Sequence, residues 1–222
     1  MDRGACALCE ECAAICQTGA RDVIGRAMTV DEVVAEIERD TVFYDESGGG
    51  VTISGGEPLM QPEFVGALLE ACRCRRLHTA VETCGAGDPD ALLGLAVHTD
   101  LFLYDLKMMD DERHRRVTGA SNRVILENLA RLVSRRANVR VRFPLVPGVN
   151  DDEENVAAIG RFVASLGLRR LDVLPYHRAG IAKYCRLGRA YPLPDTPAPS
   201  NGTVGAAVER LAGLGLNVLV GG

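Results

Sequence analysis

Residues Gly48 to Met60 read GGGVTISGGEPLM. Three glycines lead into a β-branched run, Val51 to Ser54, and a second pair, Gly55 and Gly56, ends it. Such a run between glycines marks a short buried strand whose C-terminal tip carries no side chains. A helix starts at once, with Gln61 as a weak cap, Pro62 at its first position and Phe64, Val65, Leu68 and Leu69 at helical spacing. A tight strand-to-helix turn uses glycines for its own sake, but a bare turn at a strand tip also lets a ligand approach main-chain groups closely.

Downstream the same plan repeats. Short apolar strands are predicted at Val51 to Ser54, Thr79 to Thr83, Leu101 to Leu106, Val139 to Val146, Leu171 to Pro175 and Leu216 to Val220. Helical stretches lie between them, opened by Asp88-Pro89, by Ser121 and by a capping box of Asn150 with Glu153, with a last helix over Thr203 to Leu214. The intervals suit crossovers and are too long for hairpins, so the strands are expected to be parallel in one α/β unit. Upstream, Thr29 and Glu32 form a capping box, and Val30, Val33, Val34 and Ile37 give the helix it opens an apolar stripe.

The chain has 222 residues and a net charge of -5, enough for one sizeable core. Its arginine pairs (75 and 76, 115 and 116, 135 and 136, 169 and 170) are scattered, read as solvated faces, and argue against a nucleic-acid surface. No apolar run approaches the roughly 18 residues of a membrane span, and MDRGACALCEEC at the start has no secretory pattern. A cytoplasmic protein is expected, and its eight cysteines should then be ligands or buried small residues rather than disulfides.

Four of them, Cys6, Cys9, Cys12 and Cys16, follow C-x2-C-x2-C-x3-C, the bacterial ferredoxin spacing for a four-iron cluster. Zinc is the rival reading. Gln17 replaces the usual following proline, and the companion run that a fourth cysteine of this kind serves is not in the sequence. Cys72, Cys74, Cys84 and Cys185 are read as buried or incidental thiols.

At the strand tips the polar residues line up: Gly55, Gly56 and Glu57; Glu82 and Thr83; Asp105, Leu106 and Lys107; Arg142, with Pro147-Gly148 beyond it; Tyr176 and His177. Singly each has a bland explanation, as a capping carboxylate, a surface cation or a satisfied histidine. Parallel strands, however, bring their C-terminal ends to one rim, where such folds build their sites. The set suits a small zwitterion, with backbone groups for its ammonium and Lys107 and Arg142 for its carboxylate.

The motifs SGGEP at Ser54 to Pro58, DLK at Asp105 to Lys107, VPGVND at Val146 to Asp151 and LPYH at Leu174 to His177 resemble the glycyl-radical-enzyme activating enzymes of the radical SAM superfamily. The cysteine run resembles the ferredoxin-like insert of many members. The resemblance implies a partial (β/α) barrel over 28–222, preceded over 1–27 by part of that insert. It implies S-adenosylmethionine and a [4Fe-4S] cluster as cofactors, flavodoxin or ferredoxin as electron donor, and a glycyl radical enzyme as partner, a glycine of which loses a hydrogen to the 5′-deoxyadenosyl radical. By position Gly55, Gly56, Glu57, Asp105, Leu106, Lys107, Arg142 and His177 would bind S-adenosylmethionine; Glu82 and Thr83 would ligate a monovalent cation; and Cys6, Cys9, Cys12 and Cys16 would hold iron.

The family's C-x3-C-x2-C loop does not occur in this sequence. An N-terminally truncated polypeptide that lacks the first barrel strand is therefore expected, with an unpaired edge at Gly48 to Ser54 and no radical chemistry of its own. An iron-sulfur electron-transfer module on a non-catalytic barrel is the alternative, and an iron-free α/β hydrolase or lyase using Glu57, Glu82 or His177 is a third reading.

Overall fold

The structure, a computed structural model, describes residues 6–7, 9–23 and 25–221; residues 1–5, 8 and 24 of the expected insert lie outside them. The elements run α1 (Glu11–Ala14), α2 (Val30–Glu38), α3 (Thr41–Ser47), β1 (Gly50–Ile53), α4 (Pro62–Cys74), β2 (His78–Thr83), α5 (Pro89–Ala96) and β3 (Leu101–Asp105). They continue α6 (Asp111–Thr118), α7 (Arg123–Ser134), β4 (Val139–Leu145), α8 (Glu153–Ser165), β5 (Arg170–Pro175), α9 (Gly180–Arg186), α10 (Asn201–Ala212) and β6 (Asn217–Val220).

All six strands form one parallel sheet in sequential order, β1 to β6, and every strand-to-strand connection contains helix. Side chains alternate across each strand. One set, Val81, Phe102, Tyr104, Val141, Phe143, Leu145, Leu171 and Val173, is fully buried and meets Leu69, Leu92, Leu129, Leu132, Ile159, Val163 and Leu211 from the helices. This outer layer is the main core, and each such side chain contributes about 1.5–3 kcal/mol by leaving water.

The other set looks inward. A cavity of about 220 Å³ is lined together by Gly50, Thr52, His78, Ala80, Leu103, Arg140, Arg142 and Asp172. On a flat sheet β1 and β5 would lie four strand spacings, roughly 19 Å, apart. Their sharing one cavity means that the sheet curls into an open, partial barrel whose concave face is polar.

Local signals explain most boundaries. Thr29 and Glu32 form the expected reciprocal capping box, and Asp88 accepts from the amides of Asp90 and Ala91 ahead of α5. Gly50 is required where β1 runs against β2, since a Cβ there would stand 2.1 Å from the His78 carbonyl. Three expectations need correction. Asp152, not Asn150, caps α8, by accepting from the Asn155 amide. α7 begins after Asn122, and Ser121 spends its hydroxyl chiefly on Asp111 at 2.6 Å. Ser200 caps the last helix, which starts two residues earlier than expected, at Asn201.

Candidate ligand site at the strand tips

The parallel register brings all the C-terminal tips to one end, so the turn after β1 and the residues after β5 share a rim. Gly55 has φ 116°, a conformation that other residues rarely adopt, and it is exposed. A Cβ on Gly55 or Gly56 would meet nothing within 4 Å. The main chain there therefore faces open space. Lys183, on α9, reaches across the mouth and places its ammonium 3.4 Å from the Gly55 carbonyl.

Facing this turn is a charge cluster on the concave side. Arg142 is the register partner of Asp105, and its Nε and Nη2 donate to Asp105 Oδ1 at 2.8 and 2.7 Å. Its Nη2 also donates to Glu82 Oε1, while Ser54 Oγ donates to Glu82 Oε2 at 2.9 Å. Lys107 Nζ lies 3.6 Å from Asp105 Oδ2. Burial works against ionisation of Glu82, but the hydrogen bonds from Arg142 and Ser54 outweigh it and hold the carboxyl below its ordinary value. Burial likewise opposes the charge on Arg142, and the two carboxylates outweigh it and push its pKa up.

Glu57 is used differently from the expectation. It caps the short 3-10 turn Pro58–Met60 by accepting from the Leu59 amide at 3.2 Å. The same carboxylate accepts from the Thr83 hydroxyl, from the Cys84 amide at 3.0 Å and from Cys84 Sγ at 3.1 Å. Its charge thus ties the turn after β1 to the turn after β2, and only its main chain remains for a ligand. Cys84, half-buried, fits the expectation of a buried or incidental thiol, and burial and the adjoining Glu57 carboxylate push its pKa up.

Two further residues turn away from the mouth. Leu106 is 2% exposed and its side chain joins the outer core. Thr83 is also 2% exposed, with its hydroxyl between Glu57 and the Gly85 amide, on the face opposite Glu82. His177 stands on the rim just after β5, exposed, with Nδ1 accepting from the Ala179 amide at 3.4 Å. Beside it the Tyr176 and Tyr191 hydroxyls are bonded at 2.8 Å, and Tyr184 packs edge-on against Tyr191.

Buried asparagines set the loops, a role that the sequence did not show for Asn150 or for the other two. Asn150 accepts from the Val146 amide and donates to the carbonyls of Lys107 (2.9 Å) and Pro144 (2.7 Å). Asn155 accepts from the Met109 amide and donates to the Asn150 carbonyl, both at 2.9 Å. Asn122 donates to the carbonyls of Met108 and Met109. Together they fix the segment that carries Lys107. Deeper in the concave face, Asp172 is 1% exposed and pairs with Arg170 at 3.1 Å and Arg140 at 3.8 Å. Arg170 is therefore not the freely solvated cation expected of an arginine pair.

The four clustered cysteines sit around the single turn of α1. Among the described residues no three Cys, His, Asp or Glu side chains converge as a metal-binding group. The pKa of Cys16 is lowered by hydrogen bonds from the Thr18 side chain and the Arg21 backbone. Cys72 is buried against Val34 and Leu68, as expected, and Cys74 and Cys185 are exposed.

Comparison with known proteins gives concordant results. Residues 12–158 match the family model described as the radical SAM superfamily. The isethionate sulfite-lyase activating enzyme of Nitratidesulfovibrio vulgaris is 45% identical over 196 residues, covering 87% of this chain and 64% of that protein. Pyruvate formate-lyase 2-activating enzyme of Escherichia coli is 40% identical over 217 residues, covering 98% of this chain and 74% of that one. A crystallised domain of a pyruvate-formate lyase-activating enzyme from Bacteroides vulgatus superposes with a TM-score of 0.67 at 31% identity, over 78% of this chain and 99% of that domain. The chain thus spans just under two thirds of the length of the first of these relatives.

Proposed function

We propose a function from one premise: this chain belongs to the radical SAM superfamily, and within it to the activating enzymes of glycyl radical enzymes. The mouth at the strand tips is its S-adenosylmethionine site. The observation that carries this reading is the open backbone of Gly55 and Gly56 beside a balanced set of two acids and two bases, Glu82, Asp105, Lys107 and Arg142.

The Gly55 carbonyl, to which Lys183 now donates, would accept from the methionyl ammonium in place of Lys183. Lys107, on the segment that Asn150 and Asn155 hold in place, would pair with the methionyl carboxylate. His177, exposed on the rim just after β5, would contact the nucleoside. In such an enzyme S-adenosylmethionine and a reduced [4Fe-4S] cluster would supply the 5′-deoxyadenosyl radical that takes a hydrogen atom from a glycine of a partner enzyme; the C-x3-C-x2-C thiolates for that cluster do not occur in this sequence, so the residues present account for holding the ligand and not for cleaving it. The chain's own part is to hold the ligand at the rim, where a primary carbon radical, which attacks any C-H bond within reach, must form with its target already in place.

Cys6, Cys9, Cys12 and Cys16, in residues 1–27, are the thiolates that would hold iron of an accessory cluster, and a flavodoxin or ferredoxin would deliver its electron in the cytoplasm. Which glycyl radical enzyme is the partner is a matter for a panel of candidates.

The test is calorimetric titration of the purified chain with S-adenosylmethionine. Saturable one-to-one binding is expected, weakened at least tenfold in Gly56→Ala, whose added methyl lies in the ligand's space and touches nothing in the protein. No binding to the native chain, or equal binding by both proteins, overturns the assignment.

A further inference from the structure

The family resemblance places a monovalent cation beside Glu82 and Thr83, and the residues present there do not fit one. A hard cation needs several oxygens turned to one point. Thr83 turns its hydroxyl to Glu57, on the other side of β2. Glu82 has one oxygen on Arg142 and the other on Ser54. Asp105 has one oxygen on Arg142 and the other near Lys107. The place between the two carboxylates is already filled, by a guanidinium whose side chain is only 10% exposed.

We propose that Arg142 does in this chain what a bound cation would do: it links and neutralises Glu82 and Asp105, so that the mouth takes its ligand without an added metal ion. This rests on reading the mouth as an S-adenosylmethionine site.

The chemistry is direct. Two carboxylates converging on one concave face repel, and one must be neutralised by a proton or a cation. A guanidinium has five donors in a rigid plane, stays charged and is tethered to the sheet. Asp105 is its register partner on the adjacent strand, but Glu82 lies on the strand beyond, about 10 Å from β4. A glutamate and an arginine together cover that span. The glutamate's extra methylene relative to aspartate is what lets Glu82 give its oxygen to Arg142 rather than leave it for an ion.

The experiment compares the purified protein in potassium, sodium and N-methyl-D-glucamine chlorides at one ionic strength, reading the ligand-free Tm and the affinity for S-adenosylhomocysteine. The native chain is expected to melt within about 1 °C and bind within about twofold in all three salts, because an ion that binds the folded state would raise Tm by mass action. Glu82→Asp, which withdraws the carboxylate from Arg142, is expected to gain several degrees in potassium or sodium over N-methyl-D-glucamine. Arg142→Ala is expected to melt lower than native in N-methyl-D-glucamine, with sodium or potassium restoring part of the loss. A native Tm or affinity that rises with sodium or potassium overturns the proposal, and so does an Arg142→Ala protein that melts like native without them. Should Arg142→Ala not fold, the native and Glu82→Asp series decide. Absence of S-adenosylhomocysteine binding in every salt would sink the reading of the mouth, while the ligand-free melting series still decides the role of Arg142.

Discussion

Replacing Glu57 with alanine removes the acceptor for four donors at once: the Leu59 and Cys84 amides, the Thr83 hydroxyl and Cys84 Sγ. A hydrogen bond to a charged acceptor contributes about 1.5–3 kcal/mol net, and an unpaired buried donor costs a similar amount. These four bonds share one carboxylate and do not add, the thiol is a weak donor, and Glu57 itself is only half-buried. Counting the Thr83 hydroxyl, which stays buried, and the Cys84 amide gives a loss of about 3–5 kcal/mol. At about 2–4 °C per kcal/mol for a chain of this size, Tm should fall by about 10 °C. Glu57→Gln keeps the shape and one acceptor oxygen, so it should lose about half as much. Urea denaturation of the three proteins, with m-values compared, measures the differences. A loss below about 1 kcal/mol in Glu57→Ala, or a larger loss in the glutamine variant, would refute the view that this carboxylate clamps the turns after β1 and β2.

Gly85→Ala should unfold or strongly destabilise the chain, since φ is +70° there and a Cβ would stand 1.7 Å from the Tyr104 hydroxyl oxygen; circular dichroism melting checks this, and a native-like Tm contradicts it. In iodoacetamide labelling at neutral pH, the exposed Cys74 and Cys185 should react before Cys84, whose thiol is pushed up, and Glu57→Gln should speed Cys84; mass spectrometry that finds Cys84 labelled first contradicts this. The lowered carboxyl of Glu82 contributes stability that is present above its ordinary value of 4.5 and is lost as pH falls through the lower native value. The Tm advantage of native over Glu82→Gln should therefore shrink as pH falls from 4.5 through that lower value, and an advantage that stays constant would count against the ion pair.

The sheet was legible because each strand is a short β-branched or aromatic run between turn residues, and every predicted strand is found within a residue or two. The gathering of Gly55, Glu82, Asp105, Lys107, Arg142 and His177 at one end follows from parallel pairing alone. Which of them face the mouth was only half read. Neighbours on a strand point to opposite sides, so Glu82 and Thr83 could not both have pointed inward, and the same parity sends Leu106 to the core. The capping role of Glu57 was visible in Glu-Pro ahead of an apolar pair, whereas its bonds to Thr83 and Cys84 were not. The asparagine braces join Asn150 to Lys107 and Asn155 to Met109 across more than forty residues, and no periodicity reports such contacts.

The central claim is that one mouth, built from the tips of several strands, binds S-adenosylmethionine, and hydrogen–deuterium exchange with and without that ligand tests it most directly. Slowed exchange is expected together in 54–58, 82–86, 105–109 and 176–184, with β6 unchanged. Protection confined to one of these segments, or found instead at the N-terminal ends of the strands, would contradict the account.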